Sequence, residues 1–138
     1  MRTFFDSSAF AKRFIDEPGS DEVEKICQKT ESIGLSSLCL PEIISALNRR
    51  VREKSISRKS YFIIKKRLLE EIEDADLINV IPEIIARSIL LLEKNKLRTI
   101  DAVHLASAII WETDLFISAD QRQIAAAKKS GLNVKIIG

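Results

Sequence analysis

Short apolar runs alternate along this chain with stretches whose apolar residues recur at helical spacing. Thr3–Phe5, Ser32–Ser36, Leu77–Ile81, Leu115–Ser118 and Val134–Ile137 are bounded by polar or turn-forming residues and read as strands. Between them, Ser7 and Ser8 open a helix over Ala9–Ile15. A second helix covers Asp21–Lys29 with Val23, Ile26 and Cys27 inward, and a third begins near Leu38, with Pro41 and Glu42 in its first turn and Ile43, Ile44, Leu47 and Val51 at helical spacing. Ser57 is placed to cap a fourth helix ending near Asp74. Pro82 starts a fifth over Glu83–Glu93, with Ile84, Ile85, Ile89, Leu91 and Leu92 expected inward, and Asp120–Lys129 forms a last helix stopped by Gly131.

The stretch Leu97–Trp111, LRTIDAVHLASAIIW, breaks the amphipathic rule. From Ala102 onward it is apolar almost all round, which predicts a helix buried in the middle of a domain. Asp101 nevertheless stands in its first turn, with His104 and Ser107 following on one slowly drifting stripe. A buried carboxylate is costly unless its charge is compensated, here by first-turn amides, by Arg98 or by a metal ion.

Strands alternating with helices predict an α/β fold: a single domain over residues 1–138, with a short central parallel sheet flanked by helices on both faces. Such sheets bind ligands beyond the carboxyl ends of their strands, where the winding reverses. Asp6 follows the first strand, Glu42 lies a few residues after the second, Asp120 follows the fourth, and Asp101 heads the buried helix. Each has a structural reading as well. Asp6 suits a helix cap, Glu42 a helix dipole, Asp101 the first-turn amides below Thr99, and Asp120 with Gln123 a capping box. Gathered at one rim, the four would repel one another unless a cation joined them, and an all-carboxylate set suits Mg²⁺ or Mn²⁺ better than zinc.

Composition narrows the reading further. At 138 residues, 46% hydrophobic and 30% charged, the chain is long enough for a core without disulfides, and four glycines with three prolines leave little room for a loop-rich all-β design. Cys27 and Cys39 form no CxxC or Cys/His cluster and read as reduced thiols. No run approaches the ~20 apolar residues of a membrane span, and MRTFFDSS lacks a signal-peptide core, so a cytoplasmic protein without membrane attachment is expected.

The segments FFDSSAFAK, LPEIISAL, TIDAVHLASAI and LFISADQRQIAAAKKSGLNV, in this order and spacing, give the chain its family likeness. It resembles the PIN-domain ribonucleases, most closely the VapC-type toxins of prokaryotic toxin–antitoxin pairs. The resemblance implies metal binding by Asp6, Glu42, Asp101 and Asp120, with the hydroxyls of Ser118 and Ser7 in support. It also implies endonucleolytic cleavage of RNA with Mg²⁺ or Mn²⁺, a cognate antitoxin that covers the site, and a homodimer.

The net charge of +2 does not announce nucleic-acid binding, but Arg49–Arg67 carries nine cations against Glu53 alone. The segment is either a solvated helical pair or a phosphate-steering surface built on Arg49, Arg50 and Arg52, with Lys12 and Arg13 extending it near Asp6. Tyr61–Ile64 interrupts it with apolar bulk, so this pair is also where contacts with a second copy or an antitoxin are expected. His104 reads as a catalytic group or as a core histidine, and its apolar neighbours favour the core. Two other functions compete with the nuclease: a catalytically silent PIN-like module that binds RNA or protein, and a phosphate-receiver domain. The receiver would need an aspartate ending a middle strand, which Leu77–Ile81 followed by Pro82 does not offer.

Overall fold

The middle strand of the sheet comes first in the chain. In the computed structural model, which describes residues 1–138, β1 (Arg2–Phe5) lies between β2 (Ser32–Ser36) and β4 (Leu115–Ser118). β3 (Asp76–Ile78) and β5 (Val134–Ile136) form the edges, giving the order β3-β2-β1-β4-β5 with every pair parallel. The chain winds from β1 to one edge, then crosses back and winds to the other. Its reversal point is therefore the crevice between the carboxyl ends of β1 and β4.

Alternation along the strands builds two cores. Phe5, Leu35 and Ile117 face one layer, where they pack against α1 (Ser7–Phe10), α2 (Ser20–Lys29), α3 (Cys39–Arg52) and α4 (Arg58–Ile72). Phe4 and Phe116 face the other layer and stack with centroids 5.9 Å apart, beneath α5 (Pro82–Lys94), α6 (Thr99–Trp111) and α7 (Gln121–Lys129). α6 is buried from Asp101 to Ala108, as its largely apolar sequence predicts, with Asp101, His104 and Ser107 buried along with it. Its far end is held where Trp111 lies over Gly34: a Cβ on that glycine would come within 2.6 Å of the indole ring. No helix is long and apolar enough to cross a membrane.

Several sequence expectations are corrected. The first helix is only Ser7–Phe10, begun by Asp6 and followed by a 3₁₀ turn over Ala11–Arg13, where Ala9–Ile15 was expected. The third strand is Asp76–Ile78 and stops short of Ile81, because the Ile81 amide turns back to the Asn79 carbonyl and carries the chain into Pro82. Ile85 and Ile89 point outward, 47% and 54% exposed, while Ile84, Ser88 and Leu91 form the buried face of α5. α5 has more apolar residues than one packed face can cover, so spacing alone could not tell its two stripes apart. Gly131 ends α7 at φ +88°, the left-handed conformation that favours glycine at this position.

Candidate functional site

All four acids reach one cleft. A cavity of about 430 Å³ opens at the reversal point, and Asp6, Glu42, Asp101 and Asp120 line it together with Arg98 and His104. Asp6 comes from the end of β1, Glu42 from the first turn of α3, Asp101 from the first turn of α6, and Asp120 from the turn between β4 and α7.

Asp6 both caps α1 and lines the cleft. Its Oδ1 accepts from the Ala9 amide (2.9 Å) and the Ser8 hydroxyl (2.8 Å), and its Oδ2 accepts from Ser118 Oγ at 2.6 Å. Burial pushes its pKa above the ordinary carboxylate range, and the bonds from Ser118, Ala9 and Ser8 only partly offset this. Ser118 thus holds the Asp6 carboxylate directly. Its oxygen also accepts from the Asp120 amide at 2.9 Å, joining the ends of β1 and β4.

Glu42 is held from two sides. Ser7 Oγ donates to its Oε1, and His104 Nε2 lies 2.5 Å from the same oxygen and 3.1 Å from Ser7 Oγ. Burial would raise the Glu42 pKa, but the hydrogen bonds from His104 and Ser7 outweigh it and the net shift is downward. His104 is 1% exposed, as a core histidine should be, yet its ring bonds a site acid. Its Nδ1 is buried without a partner. A proton on Nε2 gives Glu42 a donor and avoids stranding a buried N–H on the other nitrogen.

Asp101 is compensated by Arg98. The guanidinium forks onto it, Nε to Oδ2 at 3.0 Å and Nη2 to Oδ1 at 3.2 Å, and the Thr99 cap over first-turn amides is not used. Asp120 caps α7 by accepting from the Arg122 amide, but the expected capping box with Gln123 does not form. The reciprocal partner in such a box, the Asp120 amide, already donates to Ser118, so Gln123 turns inward and donates to the Asp101 carbonyl at 3.0 Å. Gln123 thereby ties α7 to the start of α6.

The cations divide. Lys12, Arg49 and Arg50 line the cleft, and Lys12 and Arg50 share Glu17 at 3.1 and 3.0 Å. Arg13 turns away to Glu24 and Glu71, and exposed Arg52 is outside the lining. Burial pushes the thiols of Cys27 and Cys39 up to about 11 and about 12, so neither supplies a thiolate near neutrality.

With the side chains as they stand, no three acid, histidine or cysteine groups form a ready coordination shell. The donor set nonetheless fits a hard divalent cation. It consists of carboxylate oxygens, and the cleft sets five carboxylates, the four candidate acids and Glu17, against the four cations Lys12, Arg49, Arg50 and Arg98, so acids remain in excess. Arg98, the partner of Asp101, is exposed, and Glu42 is only half-buried and already lines the cleft.

The sequence model for the PIN domain matches residues 3–129, and the chain belongs to the PIN-domain family. No curated protein matches the chain in sequence. Among solved structures it is similar to Mycobacterium tuberculosis VapC20, described as a toxin cleaving the sarcin–ricin loop, with 15% identity, TM-score 0.69, and 90% of this chain and 94% of that one covered. It is also similar to VapBC2 from Rickettsia felis bound to a promoter DNA fragment (13%, TM-score 0.69, 99% and 98% covered). A third similar structure is FitAcB from Neisseria gonorrhoeae (13%, TM-score 0.71, 96% and 95% covered). At these identities the likeness is one of fold.

Proposed function

We propose that this protein is a divalent-metal-dependent endoribonuclease and the toxin of a type II toxin–antitoxin pair, acting in the cytoplasm. The observation that carries this reading is the meeting of Asp6, Glu42, Asp101 and Asp120, from four distant parts of the chain, in one cleft at the reversal point of the sheet. Membership of the PIN family supports it, and so does the fold shared with VapC20, a sarcin–ricin-loop-cleaving toxin, and with VapBC2.

The four carboxylates would hold Mg²⁺ or Mn²⁺, which supplies an activated water and neutralises charge on phosphoryl oxygens, the chemistry of phosphodiester hydrolysis. The protein's part is to aim the acids. Ser118 fixes Asp6, Ser7 and His104 fix Glu42, and Arg98 holds Asp101 and balances its charge until a substrate phosphate or a cation competes for either partner. Arg49, on the cleft lining and free of an ion pair, is placed to contact a substrate phosphate. Exposed apolar residues, Phe62, Ile63 and Leu69 on α4 and Ile81, Ile85 and Ile89 by α5, supply surface for an antitoxin and a second copy.

One observation favours the catalytically silent alternative: every site acid is already engaged by a protein donor. Incubating a long RNA with the purified protein in Mg²⁺, Mn²⁺ or EDTA, alongside calorimetric metal titration, separates the two. Metal binding with cleavage that EDTA stops supports the nuclease. Absence of both, in folded protein, leaves the silent module.

A further inference from the structure

Ion pairing decides which cations are free to meet a ligand. Around α3 and α4, where positive charge is densest in the sequence, Arg50 and Arg67 are spent on Glu17 and Glu71, as are neighbouring Lys12 and Arg13 on Glu17, Glu24 and Glu71. The other cations there make no ion pair but share their surface with the exposed acids Glu53, Glu70, Glu73 and Asp74. The layer of α5, α6 and α7 instead carries two cationic stretches with no acid within them. No acid occurs from Lys94 to Ile100, and none from Gln121 to Gly138. Lys94, Lys96, Arg122, Lys128 and Lys129 are all exposed and make no ion pair.

These residues are connected in space. Lys129 Nζ donates to the Lys94 carbonyl at 2.9 Å, joining the ends of α5 and α7. A cavity of about 320 Å³ opens at that junction, and its only charged lining is Arg87, Lys94 and Lys129, beside neutral Asn95 and Ser130. Both routes from the junction lead to the acidic cleft. One is the segment from Asn95 to Arg98, whose guanidinium lines the cleft, and the other is α7, begun by Asp120. The nine residues of α7 span about 13 Å at 1.5 Å each, which carries the cations from the junction to the cleft.

Helix dipoles account for Lys94, Lys128 and Lys129, which sit at carboxyl-terminal ends. They do not account for Arg122, a cation in a first turn where the dipole disfavours it, nor for Lys96 in an acid-free connection. We infer that Lys94, Lys96, Arg122, Lys128 and Lys129 form the track along which a single-stranded RNA backbone runs into the acidic cleft, and that the α3–α4 pair adds only Arg49 on the cleft lining. This rests on the nuclease reading and adds the path of its substrate.

The test compares two variants that lose equal charge: Lys94→Gln/Arg122→Gln/Lys129→Gln on the track and Lys54→Gln/Lys59→Gln/Lys66→Gln on the α3–α4 side. A short fluorescent single-stranded RNA is titrated by anisotropy in EDTA, where nothing is cut, over a range of salt. The track variant should bind more weakly, with a log–log salt slope shallower by about 2, since each lost single-strand phosphate contact removes about 0.7. The other variant should bind as the parent does. Equal losses would show that net charge alone matters and overturn the proposal, as would a larger loss on the α3–α4 side. If the bond from Lys129 to Lys94 proves necessary for folding, Lys96→Gln/Arg122→Gln/Lys128→Gln carries the same expectation. A parent that cuts RNA with Mg²⁺ while the track variant binds normally sinks only the track. A parent that neither binds nor cuts RNA sinks the nuclease as well.

Discussion

His104 Nε2 and Glu42 Oε1 lie 2.5 Å apart and join α6 to α3, helices that pack on opposite faces of the sheet. The contact makes a buried ring part of the site without exposing it. Loss of the ring should therefore affect more than folding. His104→Ala is expected to destabilise the protein by about 2–4 kcal/mol, as a cavity in a packed helix. It should also slow cleavage by about tenfold in molecules that remain folded, the worth of a hydrogen bond of about 1.5 kcal/mol to a charged group. His104→Gln keeps an N–H near the Nε2 position and should recover much of the rate. Equal rates for folded parent and His104→Ala would reduce the ring to packing.

Asp6 should leave a mark on the pH dependence of stability. Burial raises its pKa in the native state, so the native protein holds this proton more tightly than the unfolded chain. Its contribution is then most favourable at acid pH. It falls as pH rises from the unfolded value of about 3.9 through the raised native one. Glu42 runs the other way: its lowered native pKa gives stability that is present above an unfolded value of about 4.3 and lost as pH falls through the native one. Asp6→Asn should be more stable than the parent near pH 7 in EDTA and lose that advantage below about pH 4. Thermal melts of both proteins across this range check it, and parallel curves would mean that Asp6 carries no penalty.

The strands, and the gathering of the four acids in one cleft, were legible because each depends on local pattern: apolar runs bounded by turns, and carboxylates beyond them or at the head of a helix. Long-range partners were not. Nothing near Glu42 in the chain points to His104, sixty-two residues away. The available signal was His104 itself, a polar ring on a helix otherwise apolar all round, which had to find a partner. Ser107, on the same stripe, shows why this signal is ambiguous, since its hydroxyl is satisfied by the Val103 carbonyl of its own helix. Gln123 was misread for a related reason. Its spacing from Asp120 fits a cap, but Ser118 had already taken the amide that the cap needs.

Arg98 balances Asp101 from an exposed position, so it competes with any cation for that carboxylate. Arg98→Gln should lower the melting temperature in EDTA, because the acids lose their nearest countercharge, and should enlarge the rise on adding Mg²⁺ or Mn²⁺. Asp101→Asn should shrink that rise. The same pairing means that Asp101→Asn relieves little repulsion in metal-free protein, and such relief is expected from Asp6→Asn instead. Melting temperatures with and without metal for the three variants decide the matter. An Arg98→Gln protein whose metal response is unchanged would rule out the competition.

The acids should act as one unit in cleavage. Residues that hold a single ion are non-additive, because losing any of them removes the same activated water and the same countercharge. Asp6→Ala, Glu42→Ala and Asp101→Ala should each cost about a thousandfold or more in metal-dependent cleavage, since charge stabilisation of several kcal/mol is lost at about 1.4 kcal/mol per tenfold. The Asp6→Ala/Asp101→Ala double variant should then be little slower than either single one. Asp120→Ala should be milder in rate and cost about 1 kcal/mol of stability, because its carboxylate also caps α7. Cleavage of a long RNA by each folded variant, with EDTA as the control, gives the comparison. If the losses at Asp6 and Asp101 multiply, the two acids do separate jobs. If Asp101→Ala cuts as fast as the parent, that carboxylate serves only to pair with Arg98 at the head of α6.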